Sequence, residues 1–232
     1  MSATNPAFSA ASIIENIAQV RSNIEAACLA AGRDPSSVIL TAVSKTQSAE
    51  ALSAALAAGQ KVFGENRVQE AYQHWAHQRE GLELRLIGPL QTNKALEAVK
   101  LLDVIETLDR EKLAKALSEA IIKSGRQVRV LVQVNTGAED QKAGVLPQDA
   151  DALIAKARDE YGLQVEGVMC IPPVDEDPAL HFDMLKSIAE KNSLSVISMG
   201  MSSDYEAAIA HGATHVRVGS ALFGERKSVK TL

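Results

Sequence analysis

A lysine near the start of the sequence and two segments near its end are the features best suited to chemistry. Lys45 ends the apolar, β-rich run 38–45, so its amine is expected at the carboxyl end of a buried strand. The segments 198–204 and 215–220 each run from an apolar stretch into glycine and serine, as a strand does before a helix. Such turns expose backbone N–H groups beside a helix N-terminus, an arrangement that favours phosphate.

An amine that faces a phosphate site predicts a cofactor that carries both an aldehyde and a phosphate. A neutral lysine forms a Schiff base with an aldehyde, and burial at the end of a strand favours the neutral form. Pyridoxal 5′-phosphate (PLP) has both groups. We therefore predict that Lys45 binds PLP. The alternative is an ordinary surface lysine whose stem lies along the strand end.

Four small residues are predicted to hold the phosphate of this cofactor: Ser202, Ser203, Gly219 and Ser220. Glycine lets the backbone approach a ligand closely, and serine adds hydroxyl donors. The alternative for the two adjacent serines is capping of the helix that follows them. The two roles are compatible, because a helix N-terminus that binds phosphate also needs a start signal.

Three further residues complete the predicted cofactor site: Asn66, Met199 and Arg217. Arg217 precedes Gly219 by two positions, so strand alternation places both on the inner face. Asn66 is predicted in the pocket together with Asn135, and the alternative for each is a turn-forming role. Met199 and Met201 flank a glycine, and packing is the alternative to contact with the cofactor.

Composition excludes several classes of function. The chain has 232 residues, of which 46% are hydrophobic and 23% charged, with a net charge of −5. Nucleic acid is not expected as a partner, because binding to its backbone normally needs a basic face. No apolar run is long enough to span a bilayer, and residues 1–6 lack a signal-peptide pattern, so we expect a cytoplasmic protein without a membrane partner.

Cysteine and histidine offer no sign of a metal site. Cys28 and Cys170 lie in apolar patterns and are expected to be buried free thiols. The five histidines show no metal-ligand spacing with cysteines or carboxylates. We therefore predict no metal.

Helical and strand patterns alternate along the whole chain. Apolar residues at steps of three and four from Ile13 to Cys28 predict a first helix, which Gly32 and Pro35 end. Eight β-rich runs follow, and nearly all have a helical pattern after them. The predicted strands are 38–43, 61–64, 84–87, 104–107, 128–134, 165–170, 195–199 and 215–218, and the predicted helices between them are 49–58, 67–78, 94–100, 110–123, 148–161, 178–191 and 205–211.

This order predicts a single domain over residues 1–232, an α/β fold of the (β/α)8 TIM-barrel type with an additional N-terminal helix. The alternative is a doubly wound open sheet. In a barrel, the carboxyl ends of all strands meet on one face, where active sites lie, and the loops after strands seven and eight often bind phosphate. The fold and the predicted chemistry therefore agree.

Long, ordered motifs resemble those of one known family. The segments concerned are 42–46, 63–70, 87–94, 198–204 and 216–224. They are similar to the pyridoxal phosphate homeostasis proteins, a family related to the N-terminal barrel of alanine racemase, and the similarity covers roughly residues 13–226. The resemblance implies a PLP-binding barrel that acts in vitamin B6 homeostasis without established catalytic turnover. It would exchange PLP with apo-enzymes or B6 salvage enzymes.

The resemblance also implies a role for Arg217. The related racemase barrel places an arginine at this motif position against the pyridine nitrogen, which keeps that nitrogen unprotonated and weakens the ring as an electron sink. The alternative for Arg217 is an ion pair with Glu65 or Asp204. One motif departs from the family, which usually carries Trp-His-Phe or similar where this chain has Leu84-Arg85-Leu86. Arg85 is expected either to face solvent or to alter the region near the cofactor.

Two enzyme functions are kept as alternatives. A PLP-dependent amino-acid racemase needs a second acid/base opposite the lysine, which in the related racemase is a tyrosine from a further domain of the partner subunit. That domain is not expected here, so a monomer is expected, and the three tyrosines fall in predicted helices. A Schiff-base aldolase would also use a lysine and a phosphate loop, but its lysine normally comes from a later strand. A secondary PLP site at Lys94, Lys142 or Lys227 is left open.

Overall fold

Eight parallel strands close into a barrel in the computed structural model, which describes residues 9–224. The strands are β1 (Ile39–Val43), β2 (Val62–Glu65), β3 (Glu83–Leu86), β4 (Val104–Leu108), β5 (Arg129–Val134), β6 (Gln164–Cys170), β7 (Val196–Ser198) and β8 (His215–Val218). They follow one another around the barrel in chain order, and β8 pairs back with β1. The predicted TIM-type barrel is confirmed, and the open sheet is wrong.

Helices surround this barrel and alternate with its strands. They are α1 (Ala10–Ala30), α2 (Ala49–Ala57), α3 (Val68–Trp75), α4 (Ala95–Leu101), α5 (Glu111–Ser124), α6 (Ala150–Asp159), α7 (Pro178–Lys191), α8 (Tyr205–Ala210) and α9 (Ser220–Phe223). Short 3-10 turns occupy Pro35–Ser37, Thr92–Lys94 and Pro147–Asp149. None of these described helices is long and apolar enough to cross a membrane.

Local sequence signals explain where several helices begin and end. Ser48 precedes α2, and its hydroxyl accepts a hydrogen bond from the backbone N–H of Ala51 at 3.2 Å. Pro178 stands at the first position of α7, behind the capping carboxylate of Asp177. Gly125 ends α5 in the left-handed conformation, which glycine adopts without a steric penalty.

Two hydrophobic regions hold the barrel together. The larger lies between the sheet and the helices and contains both cysteines, which are buried as expected. The smaller is a cluster of Val104, Leu131 and Met169, one residue from each of three neighbouring strands. Side chains alternate between the two faces of a strand, so the residues next to this cluster along each strand pack outwards against the helices.

The N-terminal helix completes the ring of helices around the barrel. The helix that follows β8 is only four residues long, and α1 packs against this helix and against α2 and α8. The amide Nδ2 of Asn16 donates to the carbonyl oxygen of Leu222 at 3.0 Å, and that of Asn23 donates to the hydroxyl of Tyr205 at 3.0 Å. Helix α1 therefore occupies the position that a full eighth barrel helix would take.

The predicted single domain over residues 1–232 extends beyond the part that the structure describes. It therefore stays a prediction. Lys227, one of the three lysines considered for a secondary PLP site, also lies outside the described residues.

The buried face of α1 predicts a stability difference between two neighbouring isoleucines. Ile17 is 0% exposed, whereas Ile14 on the same helix is 41% exposed. We expect Ile17→Ala to lower the free energy of unfolding by about 2–4 kcal/mol, because it leaves a cavity in the core. Ile14→Ala, the matched control, should change it by less than about 1 kcal/mol. Urea unfolding measures both, and equal effects would show that α1 is not part of the core.

Candidate functional site

A cavity of about 450 Å³ opens where the carboxyl ends of the strands meet. Its volume lies within the range of small-molecule sites in proteins. Seven of the eight predicted cofactor ligands line it: Lys45, Asn66, Ser202, Ser203, Arg217, Gly219 and Ser220. Residues that are far apart in the sequence, on both sides of the β1–β8 junction, therefore share one concave surface.

Met199 is the one predicted ligand that does not line the cavity. Its side chain is completely buried in the core between the barrel and the helices, and Met201 lines the cavity instead. Ser198 points into the barrel, so the next residue points outwards. Gly200 then reverses the chain with φ of +89°, and a Cβ at this position would lie 2.6 Å from the Cβ of Ala208. Packing is therefore the interpretation of Met199 that the geometry supports.

Lys45 lies in a turn two residues beyond the end of β1 and is half-buried. The residues on both sides of it are held by carboxylates. The Ser44 hydroxyl donates to Glu65 Oε1 at 2.6 Å, and the backbone N–H of Thr46 donates to the Glu70 carboxylate. Thr46 has φ of +62°, a strained conformation for a β-branched residue. The surrounding contacts thus hold the lysine in a fixed, strained turn at the cavity wall.

Glu65 is the centre of a buried hydrogen-bonded group behind this turn. Besides Ser44, its Oε1 contacts His74 Nδ1 at 2.7 Å and accepts from Trp75 Nε1 at 2.9 Å, both from α3. The ring of Trp75 also packs on Phe63, with 4.4 Å between ring centroids. Strand β2 and helix α3 are therefore locked to the segment that carries Lys45.

The two loops predicted to hold phosphate are joined by a side chain. Ser202 Oγ accepts hydrogen bonds from the backbone N–H groups of Gly219 at 3.2 Å and Ala221 at 3.3 Å. Ser203 and Ser220 are exposed on the cavity wall. Neither Ser202 nor Ser203 caps α8, so the capping alternative is wrong. That helix follows Asp204, whose Oδ1 accepts from the backbone N–H of Met201.

Arg217 is a buried cation in the wall of the cavity. Its Nη1 donates to Ser198 Oγ at 2.7 Å, and its Nη2 donates to the carbonyl oxygen of Cys170 at 2.7 Å. The inward orientation expected from strand alternation is confirmed. The alternative ion pair with Glu65 or Asp204 is wrong, because its hydrogen-bond partners come from β6 and β7.

The departure at Arg85 lies inside the barrel and not at its surface. Arg85 is completely buried, so the solvent-facing alternative is wrong. Its Nε donates to Glu106 Oε1 at 2.5 Å, and its Nη1 donates to Glu83. Glu106 in turn accepts from Ser198, the residue that contacts Arg217. The departure from the family motif is therefore connected to the cavity.

Glu106 and Ser198 are site residues that the sequence patterns do not predict. A signal for Glu106 was present, because the oppositely charged Arg85 and Glu106 both sit in apolar strand runs that are adjacent in the barrel. Buried charges need partners, so such a pair predicts mutual contact. The sequence does not show that Glu106 is also connected to Arg217 through Ser198, because that connection depends on the strand register.

The remaining candidates have structural roles. Asn135 does not line the cavity; its Nδ2 donates to the backbone carbonyl of Glu139 at 2.8 Å, and its Oδ1 accepts from the N–H of the same residue. Its turn-forming alternative is therefore the one the contacts support. Burial raises the pKa of the Cys170 thiol to about 12, which keeps it protonated and unreactive. Within residues 9–224, no group of three His, Cys, Asp or Glu side chains is placed to hold a metal ion.

Comparison with known proteins agrees with this geometry. The alanine racemase N-terminal domain profile matches residues 15–227. The barrel of this protein has a lysine after the first strand and serine-containing loops after the last two. Together with the profile match, this places the protein in the alanine racemase N-terminal class.

Relatives and a solved structure narrow this class. The chain is 42% identical over 220 residues to the pyridoxal phosphate homeostasis protein of Pseudomonas aeruginosa, covering 92% of this chain and 96% of that protein. It is 38% identical over 226 residues to the protein of the same name from Escherichia coli K12, covering 92% and 97%. PipY of Synechococcus elongatus, solved with PLP bound, is similar with a TM-score of 0.78 and 35% identity, covering 91% of this chain and 100% of that one. This chain belongs to the pyridoxal phosphate homeostasis protein family.

His215, inside the barrel, predicts a pH dependence of stability. Burial and the nearby Arg85 lower its pKa from 6.5 to about 4. The unfolded chain therefore binds more protons than the native protein between these values, so stability falls as the pH drops through this window. We expect a loss of about 1–2 kcal/mol in the free energy of unfolding between about pH 6.5 and about pH 5.

Urea unfolding of the His215→Gln variant across the same pH range tests this prediction. The variant should lose distinctly less stability than the wild type, because the titrating group is gone. His77→Gln, at an exposed position, is the matched control and should follow the wild-type curve. A His215→Gln variant with the wild-type pH dependence would contradict the prediction.

Proposed function

We propose that this protein binds PLP as a Schiff base on Lys45 and stores or transfers it in vitamin B6 homeostasis. The observation that carries the proposal is the shared cavity, which brings Lys45, Arg217 and the Ser202 and Ser220 loops together. PLP has a complementary group for each of them: an aldehyde, a pyridine nitrogen and a phosphate. The names of the two bacterial relatives and the PLP-bound PipY structure support it.

The residues present fit PLP in their chemistry. The Lys45 amine would condense with the aldehyde carbon and release one water. The hydroxyls of Ser202, Ser203 and Ser220 would donate to the phosphate. Gly219, whose N–H already donates to Ser202 Oγ, would let the backbone approach the phosphate closely. Arg217 would donate a hydrogen bond to the pyridine nitrogen, and Asn66 would contact the cofactor from the β2 side.

Apolar side chains of the same cavity would exclude water from the flat ring: Val43, Ile87 and Ile171. When bound, PLP supplies a reactive aldehyde and an electron-accepting ring. An arginine opposite the pyridine nitrogen favours the unprotonated nitrogen and so a weaker electron sink. This arrangement suits a carrier better than an enzyme that must stabilise a carbanion.

We infer a carrier without catalytic turnover, in preference to a racemase. None of the three tyrosines lines the cavity. The Tyr72 hydroxyl donates to the carbonyl oxygen of Glu97, that of Tyr161 donates to Glu111, and that of Tyr205 accepts from Asn23. A one-sided site of this kind supports reversible exchange of PLP with apo-enzymes or B6 salvage enzymes. A monomer in the cytoplasm is part of the same proposal.

Borohydride reduction followed by peptide mapping tests the covalent site. The wild-type protein, incubated with PLP, should carry a phosphopyridoxyl adduct on the Lys45 peptide. Lys45→Ala should lose this adduct but keep some PLP through the phosphate loops. Lys94→Ala and Lys142→Ala, which alter the other described lysines considered for PLP, should keep it. A reducible adduct of full stoichiometry in Lys45→Ala would refute the assignment.

The phosphate loops predict a second set of variants. The double variant Ser202→Ala/Ser220→Ala should bind PLP about tenfold or more weakly, because two donors to a charged group are lost. Ser220→Ala alone keeps the hydrogen bonds of Ser202 that join the loops. Any loss of PLP affinity in this single variant therefore reports the contact of Ser220 with the phosphate. Ser36→Ala, an exposed serine before β1, is the control.

Equilibrium dialysis with PLP measures affinity in these variants, and thermal unfolding without PLP measures their stability. Wild-type affinity in the double variant would place the phosphate elsewhere. An equal loss of stability and affinity in every serine variant would indicate a general effect on folding.

A further inference from the structure

A chain of hydrogen-bonded polar side chains crosses the inside of the barrel and ends at the cavity. It begins near the amino-terminal ends of the strands, where Arg129 of β5 donates to Glu83 of β3 at 2.7 Å. We call it the interior chain; its members, in order, are Arg129, Glu83, Arg85, Glu106, Ser198 and Arg217. Only its last member lines the cavity.

Glu106 is the member that joins the two ends of this chain. It is completely buried, and each of its carboxylate oxygens has one partner. Oε1 accepts from Arg85 Nε at 2.5 Å, and Oε2 accepts from the Ser198 hydroxyl at 2.6 Å. A buried carboxylate is costly unless it is paired and hydrogen-bonded, and Glu106 meets both conditions.

The charges around Glu106 keep it ionised. Burial alone would raise its pKa, but Arg85 of β3 and Arg217 of β8 outweigh burial and hold that pKa below the usual range. His215 of β8 is a further titratable group that interacts electrostatically with this carboxylate, and burial keeps His215 neutral. One negative charge therefore stands between two guanidinium groups.

Ser198 transmits the influence of this carboxylate to Arg217. A serine hydroxyl has a single hydrogen, and here it is donated to Glu106. Its oxygen lone pairs are then left to accept, and they accept from Arg217 Nη1 at 2.7 Å. Without the carboxylate, the hydroxyl could rotate and offer its hydrogen elsewhere. The second contact of Arg217, to the Cys170 carbonyl, fixes only its other nitrogen.

We propose that Glu106 is a positioning residue: acting through Ser198, it holds the Arg217 guanidinium in the cavity wall and balances its charge. With PLP on Lys45, Glu106 then sets how firmly Arg217 contacts the ring nitrogen and how positive the surroundings of the ring are. The inference rests on the proposed PLP site. It adds that a residue inside the barrel determines how long the cofactor is retained.

Three single variants separate this positioning role from a purely structural one. Glu106→Gln removes the charge but keeps the shape, and Ser198→Ala removes the link without leaving an unpaired charge. Glu83→Gln is the matched control, because Glu83 also pairs with Arg85 but has no hydrogen bond to Ser198. Circular dichroism and thermal unfolding of each variant would establish that the barrel is intact.

Two properties of the PLP-loaded proteins are then measured. The first is the rate at which PLP is released to a carbonyl-reactive trap. It should rise about tenfold in Glu106→Gln and in Ser198→Ala, because a charge-assisted contact is lost. The second is the pH midpoint of the absorbance change of the Lys45–PLP chromophore. It should fall in Glu106→Gln, because the loss of a negative charge disfavours the protonated form. Glu83→Gln should resemble the wild type in both.

The outcomes distinguish this inference from the proposed function. A wild-type protein that gives no reducible adduct on Lys45 would refute the PLP site itself. The wild type could instead give the adduct while Ser198→Ala releases PLP at the wild-type rate and has wild-type spectra. That result would overturn only the positioning role. Equal shifts in Glu83→Gln and Glu106→Gln would also overturn it, since Arg85 pairing alone would then explain them. If Glu106→Gln does not fold, the comparison of PLP release rates between Ser198→Ala and Glu83→Gln decides whether the positioning role holds.

Discussion

The pairing of β1 with β8 is the constraint on which the site depends. Thr41 lies opposite Arg217 and Ala42 opposite Val218 in this ladder, and the N–H of Ile39 bonds to the carbonyl oxygen of Thr214 at 2.8 Å. Because all strands are parallel, closing the barrel at this seam brings the lysine turn after the first strand beside the loop after the last. The register between these two strands, which are remote in sequence, thus brings the lysine and the serine loops together around the cavity.

The inside of this barrel differs from the layers of branched apolar side chains that such barrels usually contain. Among residues 9–224, the apolar part of this interior is a small cluster around Leu131, and buried charges lie beside it. Arg85 and Glu106 are each costly to bury, and each is tolerated because its partner is at hydrogen-bond distance. An apolar interior would be easier to stabilise. The polar one gives the cavity wall a cation whose position is defined by several strands.

Much of this architecture was predictable from patterns in the sequence. The predicted strands agree with the observed ones to within one residue at each end, because β-rich runs between helical patterns are a strong signal. Seven of the eight residues predicted as cofactor ligands line the cavity. Met199 was predicted in the site because it lies beside Gly200, but its neighbour Ser198 points into the barrel, so alternation turns Met199 outwards into the core. The contact between Glu106 and Ser198 depends on how β4 and β7 face each other across the barrel, and no local pattern encodes that distance.

The position of α1 has a consequence for synthesis. This helix is made before every strand of the barrel, yet Asn16 bonds to Leu222 across 206 residues of sequence, and its neighbours α8 and α9 follow the seventh and eighth strands. During translation α1 can pack against α2 early, but its contacts with α8 and α9 cannot form until those two helices have been made. The same late part of the chain supplies β8 and the Ser220 loop, which complete the cavity. A nascent chain would therefore be unable to capture the cofactor before the whole barrel had been made.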